Sequence, residues 1–181
     1  MKFCSACGEP LTVRVPKGDN RPRLVCNACE RIHYQNPQVV DGCLPIWGEQ
    51  ILLCRRAIQP RRGFWTLPAG FMENGESTED GAARETLEEA CAEVRGLQLA
   101  SVFSLPHIDQ VHLFYRAELV QGHYAVGAET LEAALFHEGE IPWPELAFAT
   151  VRNALQQYFS ERAEGLHTTR AMTLRPDGDR V

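Results

Sequence analysis

Three glutamates, Glu85, Glu88 and Glu89, fall within the nonapeptide RETLEEACA, residues 84–92. At roughly 100° per residue in a helix, Glu88 lies about 60° to one side of Glu85 and Glu89 about 40° to the other, so all three carboxylates share a face. Like charges at such spacings repel, so the fold gains little from them. Either the face is solvated or a cation sits on it. Clustered carboxylates are the hard oxygen donors that suit Mg²⁺ or Mn²⁺. Such an ion can bind pyrophosphate oxygens, offset charge in a transition state and help generate hydroxide from water.

A second constellation is made of sulfur. Cys4, Cys7, Cys26 and Cys29 form two C-x2-C pairs, the spacing of a tetrahedral thiolate site for Zn²⁺ built from two knuckles. In a reducing cytosol disulfides are the poorer explanation. A segment this short can hardly fold on apolar burial alone, so the metal would supply much of its stability. His33 follows the second knuckle and is a poor substitute ligand beside four cysteines. Cys43, Cys54 and Cys91 lack the pairing pattern and read as small packed hydrophobes.

These groups must be positioned by a chain of 181 residues, 44% hydrophobic and 23% charged, enough for one main domain with a small addition. A net charge of −6 argues against non-specific nucleic-acid or anionic-membrane binding. MKFCSACGEP has no apolar signal core and no run reaches membrane-spanning length, so the expected location is cytoplasmic. The expected organisation is a ribbon over 1–36, a main domain over 37–165 and a loose tail over 166–181.

Within the main domain, VVDGCLPIW (39–47) and ILLCRRA (51–57) read as a hairpin and FWTLP (64–68) as a short strand. A helix is expected over Thr78–Cys91, with Ser77 or Thr78 as N-cap and Ala83, Leu87, Ala90 and Val94 on its buried side. Strands follow over 97–105 and 110–120. TLEAALFHEGEIPW (130–143) reads as a turn or short helix with an irregular stretch. A second helix is expected over 144–163, with Leu146, Val151, Leu155 and Tyr158 as its core stripe. The sum is an α/β sandwich with a mixed sheet.

Gly70-x5-Glu76-x7-Arg84-Glu85-Thr86-x-Glu88-Glu89 resembles the Nudix box, and the surrounding elements agree with the Nudix α/β/α sandwich. The resemblance implies that Glu85, Glu88 and Glu89 ligate Mg²⁺ or Mn²⁺, joined by the Gly70 carbonyl. It also implies that Arg84 and Glu76 pair to hold the loop against the helix. Two residues depart from the box. Thr86 replaces an aliphatic, and Cys91 replaces the glycine that ends the helix. A left-handed conformation is costly for cysteine, so the helix is expected to end differently or run longer.

A zinc ribbon before a Nudix domain, joined through HYQNPQVV, is similar to the NADH diphosphatases. Their Ser-Gln-Pro-Trp-Pro signature is absent from SVFSLPHIDQVHLFYRAEL. The runs CNACERIHYQNPQVVDGCLP, LLCRRAIQPRRGFWTLPAGFME and ETLEAALFHEGEIPWPELAF resemble plant-type FAD diphosphatases and their bacterial relatives, over roughly residues 4 to 160. That resemblance implies hydrolysis of FAD to FMN and AMP, with ADP-ribose a further substrate and NADH the alternative. The partner would be a small-molecule nucleoside diphosphate derivative rather than nucleic acid or membrane. Dimers are common among such enzymes, so a homodimer belongs to the expectation.

An alternative of another class is a nucleotide-binding sensor whose ribbon contacts a partner. Arg14, Lys17, Arg21, Arg23 and Arg31 give the ribbon local positive charge, but a binder would not need the full set of carboxylates. Arg55 and Arg56 are the candidate substrate-binding cations; on a strand they point to opposite faces, so at most one reaches the phosphates. Arg61 and Arg62 could flank the site. Glu129 and Glu132 are candidates for a general base or an additional metal ligand, Glu132 the preferred one. His107 and His112 read as structural.

Overall fold

The computed structural model describes residues 1–175. The chain divides into two compact units, Met1–Asn36 and Pro37–Val181.

In the first unit β1 (Leu11–Arg14), β2 (Arg23–Cys26) and β3 (Ile32–His33) form a three-stranded antiparallel sheet in that order. Each cysteine pair closes in a tight turn. The N–H of Gly8 donates to the Cys4 carbonyl at 2.9 Å, and that of Glu30 to the Cys26 carbonyl at 3.0 Å. Both closing residues have positive φ, 78° and 59°, a conformation that suits glycine and strains glutamate.

The second unit runs β4 (Gln38–Trp47), β5 (Gln50–Arg56), β6 (Trp65–Thr66), β7 (Ala69–Phe71), α1 (Thr78–Ala90), β8 (Val94–Leu105), β9 (Gln110–Leu119), β10 (Thr130–Phe136), α2 (Ala149–Glu164) and β11 (Arg170–Thr173). The sheet order is β10-β5-β4-β9-β8-β11, with β6 on β5 and β7 on β4. It is mixed: β4–β9 and β8–β11 are parallel, the other pairs antiparallel.

Strand β5 shows why the unit is a sandwich. Its apolar run alternates between two layers, as a strand covered on both faces must. Ile51 and Leu53 join the core that holds Val151, Leu155 and Phe159 of α2. Leu52 and Cys54 join a smaller core with Ala90 of α1, Ala92 and Leu119. The expected α/β/α arrangement with a mixed sheet is the one observed, and the 39–47/51–57 hairpin is present with Ile46 opposite Ile51.

Four expectations are corrected. The buried side of α1 is Gly81, Ala82, Thr86, Glu89 and Ala90, whereas Leu87 is 51% exposed; one glutamate therefore sits on the buried face. Residues 130–136 form strand β10 rather than a turn, pairing with β5 along an edge where only Thr130 is buried. The second helix begins after Phe148, not at 144, so that Leu146 is buried ahead of it. The expected tail contributes β11, paired in parallel with β8 from Arg170↔Ser101 to Thr173↔Ser104; residues 176–181 of that tail lie outside the described residues. No helix among the described residues is long and apolar enough to cross a membrane.

Candidate catalytic and metal-binding sites

Helix α1 starts from a capping box. The Asp80 N–H donates to Ser77 Oγ at 3.1 Å, and the Ser77 N–H to Asp80 Oδ2 at 3.4 Å. This ties the preceding loop to the first turn and satisfies donors that no helix can satisfy internally. One turn on, Arg84 grips that loop. Its Nε and Nη2 donate to the two oxygens of Glu76 at 3.0 and 2.8 Å, and Nη2 also donates to the Phe71 carbonyl at 3.2 Å. The Arg84 guanidinium holds the Glu76 carboxyl down to about 2. The Arg84–Glu76 pair implied by the box is thus formed. Arg84 Nη1 also donates to Glu85 at 2.7 Å and to Glu88 at 3.2 Å.

Glu85 leans over β7. A Cβ on Gly70 would clash with the Glu85 carboxylate, so only glycine lets this acid lie against the strand backbone. Burial raises Glu85 above the usual carboxylate range, with Arg84 pulling the other way. Glu89, 8% exposed, is pushed up to about 8, first by burial and then by the facing Glu85. Glu88 is exposed. The pattern fits a cation: two carboxyls disfavoured as anions by their surroundings would be lowered by a divalent ion among them.

These three acids line a cavity of about 570 Å³ together with Gly70, Arg56 and Glu129. Ile58, Pro60 and Phe71 supply an apolar wall, and the volume is in the range of small-molecule sites. The arginine pair divides as the strand alternation requires. Arg56 reaches the cavity, its Nε donating to the Pro60 carbonyl at 2.9 Å and its guanidinium lying 5.1 Å from the Phe148 ring centre. Arg55 instead donates to the Gly63 carbonyl at 2.8 Å and to Glu132 at 3.4 Å.

Glu132 is therefore not brought to the site: opposite Arg55 across β5–β10, it is engaged there and outside the cavity lining. Glu129 lines the cavity instead. Its loop is pinned to the end of α1, where Ala125 N–H donates to the Ala90 carbonyl at 2.7 Å and Gly127 N–H to the Glu89 carbonyl at 3.0 Å. Any side chain at Gly127 would strike the Glu88 carbonyl. Arg61 stacks on Phe64 at 5.4 Å, and neither Arg61 nor Arg62 is in the cavity lining. His112, held neutral by burial at about 4, bonds Gln110 at 2.9 Å, and His107 lies with it away from the acids.

The end of α1 corrects the expectation for Cys91. The helix stops at Ala90, and Cys91 itself takes the left-handed conformation (φ 47°, ψ 35°), its N–H donating to the Leu87 carbonyl at 2.9 Å. Cysteine does here what the box glycine would do, with strain instead of a different ending.

In the first unit the four Sγ atoms of Cys4, Cys7, Cys26 and Cys29 lie within 4.8 Å of one another. Individual separations are 3.4 Å for Cys7–Cys26 and 3.6 Å for both Cys4–Cys29 and Cys7–Cys29. Four sulfurs about 2.3 Å from a central Zn²⁺ would be about 3.8 Å apart, so the cluster has the dimensions of such a site. The Ala6 N–H donates to Cys4 Sγ at 3.4 Å and leads the effects that lower this thiol to about 6, toward the thiolate a metal requires. His33 Nε2 stands 3.4 Å from Cys4 Sγ, beside the cluster rather than within it.

Comparison with known proteins agrees with this geometry. Residues 36–158 match the NUDIX domain family, and residues 2–35 match the Nudix N-terminal zinc-ribbon family. The crystal structure of a NUDIX hydrolase from Nitrosomonas europaea superposes with a TM-score of 0.93 at 50% identity, covering 96% of this chain and 99% of that one. The NAD-capped RNA hydrolase NudC of Salmonella paratyphi C is 29% identical over 143 residues, 78% of this chain and 53% of the relative. That of Pseudomonas putida strain W619 is 30% identical over 169 residues, 91% and 58% respectively. The chain thus spans little more than half the length of these curated relatives, and their name differs from the FAD diphosphatases that the sequence resembles. With 36–158 matched as a whole and the box residues in place around one cavity, the chain belongs to the NUDIX family.

Proposed function

We propose that the protein hydrolyses the pyrophosphate bond of an ADP-linked compound, with Mg²⁺ or Mn²⁺ held by Glu85, Glu88, Glu89 and the Gly70 carbonyl. The observation that carries this reading is the fit of the Glu85 carboxylate into the space left by Gly70, beside the buried Glu89, on the wall of a nucleotide-sized cavity. When bound, the cation supplies charge neutralisation for the diphosphate and acidifies water. The chain's own groups do the rest. Arg84 and Glu76 fix the loop that carries Gly70. Arg56, the cation of the cavity lining, takes a phosphate oxygen and is itself oriented by Pro60 and Phe148. Glu129, facing the acids from its pinned loop, takes the attacking water's proton on its carboxylate, the role first given to Glu132. Zn²⁺ in the four-cysteine cluster is structural.

For the group linked to ADP, FAD cleaved to FMN and AMP remains the first reading, supported by the extended resemblance across the chain. NADH is the second, supported by the zinc ribbon, and NAD-capped RNA, the substrate in the name of the NudC relatives, stands beside it as another NAD-linked diphosphate. Chromatography of products from FAD, NADH, ADP-ribose and a short NAD-capped RNA, each with Mg²⁺ or Mn²⁺, separates them. FMN and AMP ahead of all other products supports the flavin reading. Faster cleavage of NADH or the capped RNA overturns it. Failure to cleave any of the four removes the proposal and favours the sensor alternative.

A further inference from the structure

Asp41 stands in the middle of β4 with 0% of its surface exposed, and neither carboxylate oxygen has a hydrogen-bond partner among the described residues. A buried carboxyl without a partner is costly to a fold, and burial raises this one to about 6; the catalytic roles above do not use it.

Its neighbours give it a use. Asp41 is the register partner of Gly70 on β7, so the two residues share a sheet face, and the space over Gly70 is filled by the Glu85 carboxylate. Overhead, a Cβ on Gly81 would lie 2.7 Å from Asp41 Oδ2 and 3.0 Å from Glu76 Oε1. Gly81 and Glu85 are four residues apart and so stack on successive turns of α1. Two glycines, one in the helix and one in the strand beneath, thus open a layer that Asp41, Glu76 and Glu85 fill with carboxylates. Arg84 contacts Glu76, Glu85 and Glu88, and its donors are spent on them and on the Phe71 carbonyl. Asp41 is the acid of this layer that the guanidinium does not hydrogen-bond, reaching it only through space.

We propose that Asp41 is a further anionic member of the divalent-cation site, its charge acting from the buried side on the ion that Glu85 holds and raising the affinity for that ion. The inference rests on the reading of Glu85, Glu88 and Glu89 as ligands. It extends the site from one helix face to the strand below, and gives the central layer of the sandwich a share in metal binding.

The test is Mn²⁺ binding to the whole protein without substrate, followed by calorimetry, for wild type, Asp41→Asn, Asp41→Ala and, as reference, Glu89→Gln. Mn²⁺ prefers oxygen donors, which keeps the cysteine cluster out of the signal. Both Asp41 variants are expected to bind Mn²⁺ about tenfold or more weakly, the range for groups that support metal ligands. Without Mn²⁺ they should unfold at or above the wild-type temperature, because a buried charge has gone. Unchanged Mn²⁺ affinity in both Asp41 variants alongside weakened binding in Glu89→Gln overturns the inference and leaves the glutamate site standing. Lowered unfolding temperatures with unchanged affinity make Asp41 a purely structural residue and also overturn it. Unchanged affinity in Glu89→Gln as well removes the glutamate site itself, and this inference with it.

Discussion

The Glu85 carboxylate occupies the space that a side chain on Gly70 would fill, so the strand and the helix of the box are made for each other at one point. Gly70→Ala must displace Glu85. A shift of about 1 Å in a catalytic group can cost about 10²-fold in rate, and a loss of that order in kcat is expected while the protein still unfolds cooperatively. Turnover near wild type would show that Glu85 does not need this seat.

Glu129 lines the cavity, and Glu132 is engaged with Arg55 outside it. A positioned general base contributes about 10²–10⁴-fold, so Glu129→Gln should lower kcat by at least the lower figure. Glu132→Gln should stay close to wild type. The reverse ranking in steady-state kinetics would restore Glu132 to the role first given to it.

Glu89 makes stability depend on pH in a definite direction. Its folded carboxyl is raised from 4.5 to about 8, so between those values the folded protein keeps a proton that the unfolded chain has lost. Stability contributed by the neutral acid is therefore present below this window and is lost as pH rises through it. In buffer without Mg²⁺ or Mn²⁺, the unfolding temperature of Glu89→Gln relative to wild type is expected to climb from pH 5 to pH 8. Glu76, lowered to about 2 by Arg84, acts in the opposite sense: its stabilisation is present above 4.5 and fades as pH falls from there toward 2, outside this range. A pH-independent difference would mean that Glu89 is ionised throughout.

Cys91 holds a left-handed conformation at the end of α1. Relieving it with Cys91→Gly is expected to stabilise the protein by about 1 kcal/mol, which for a chain of this size raises the unfolding temperature by about 2–4 °C. A lower temperature on thermal scanning would show that the side chain contributes more than the strain it imposes.

The box was legible because its chemistry is local: Glu85, Glu88 and Glu89 share a helix face by spacing alone, and the cysteine pairs announce themselves in the same way. What could not be read depends on contacts between distant segments. The buried side of α1 cannot be read from the helix alone: Leu87 is its largest apolar residue, whereas the sheet beneath takes Ala82, Thr86 and Glu89. Strand β10 was missed because TLEAALF carries helix-favouring residues and only the free edge of β5 makes it extended. Glu132 is the preferred base in sequence, and its engagement by Arg55 shows only in the fold; Gly127, which lets its loop press on α1, is the one local sign favouring Glu129. Asp41 had a visible signal in retrospect, a lone acid inside VVDGCLP, but its meaning lies in Gly70 and Gly81, which flank it only in the folded chain.

The most direct test is AMP release from FAD and NADH, with and without Mn²⁺, by wild type and Glu89→Gln. Metal-dependent AMP formation by wild type, lowered by about 10²-fold or more in Glu89→Gln, is the expected result. AMP formation that ignores Mn²⁺, or a variant retaining more than about a tenth of the wild-type rate, well short of that loss, would contradict a cation held by the carboxylates of α1.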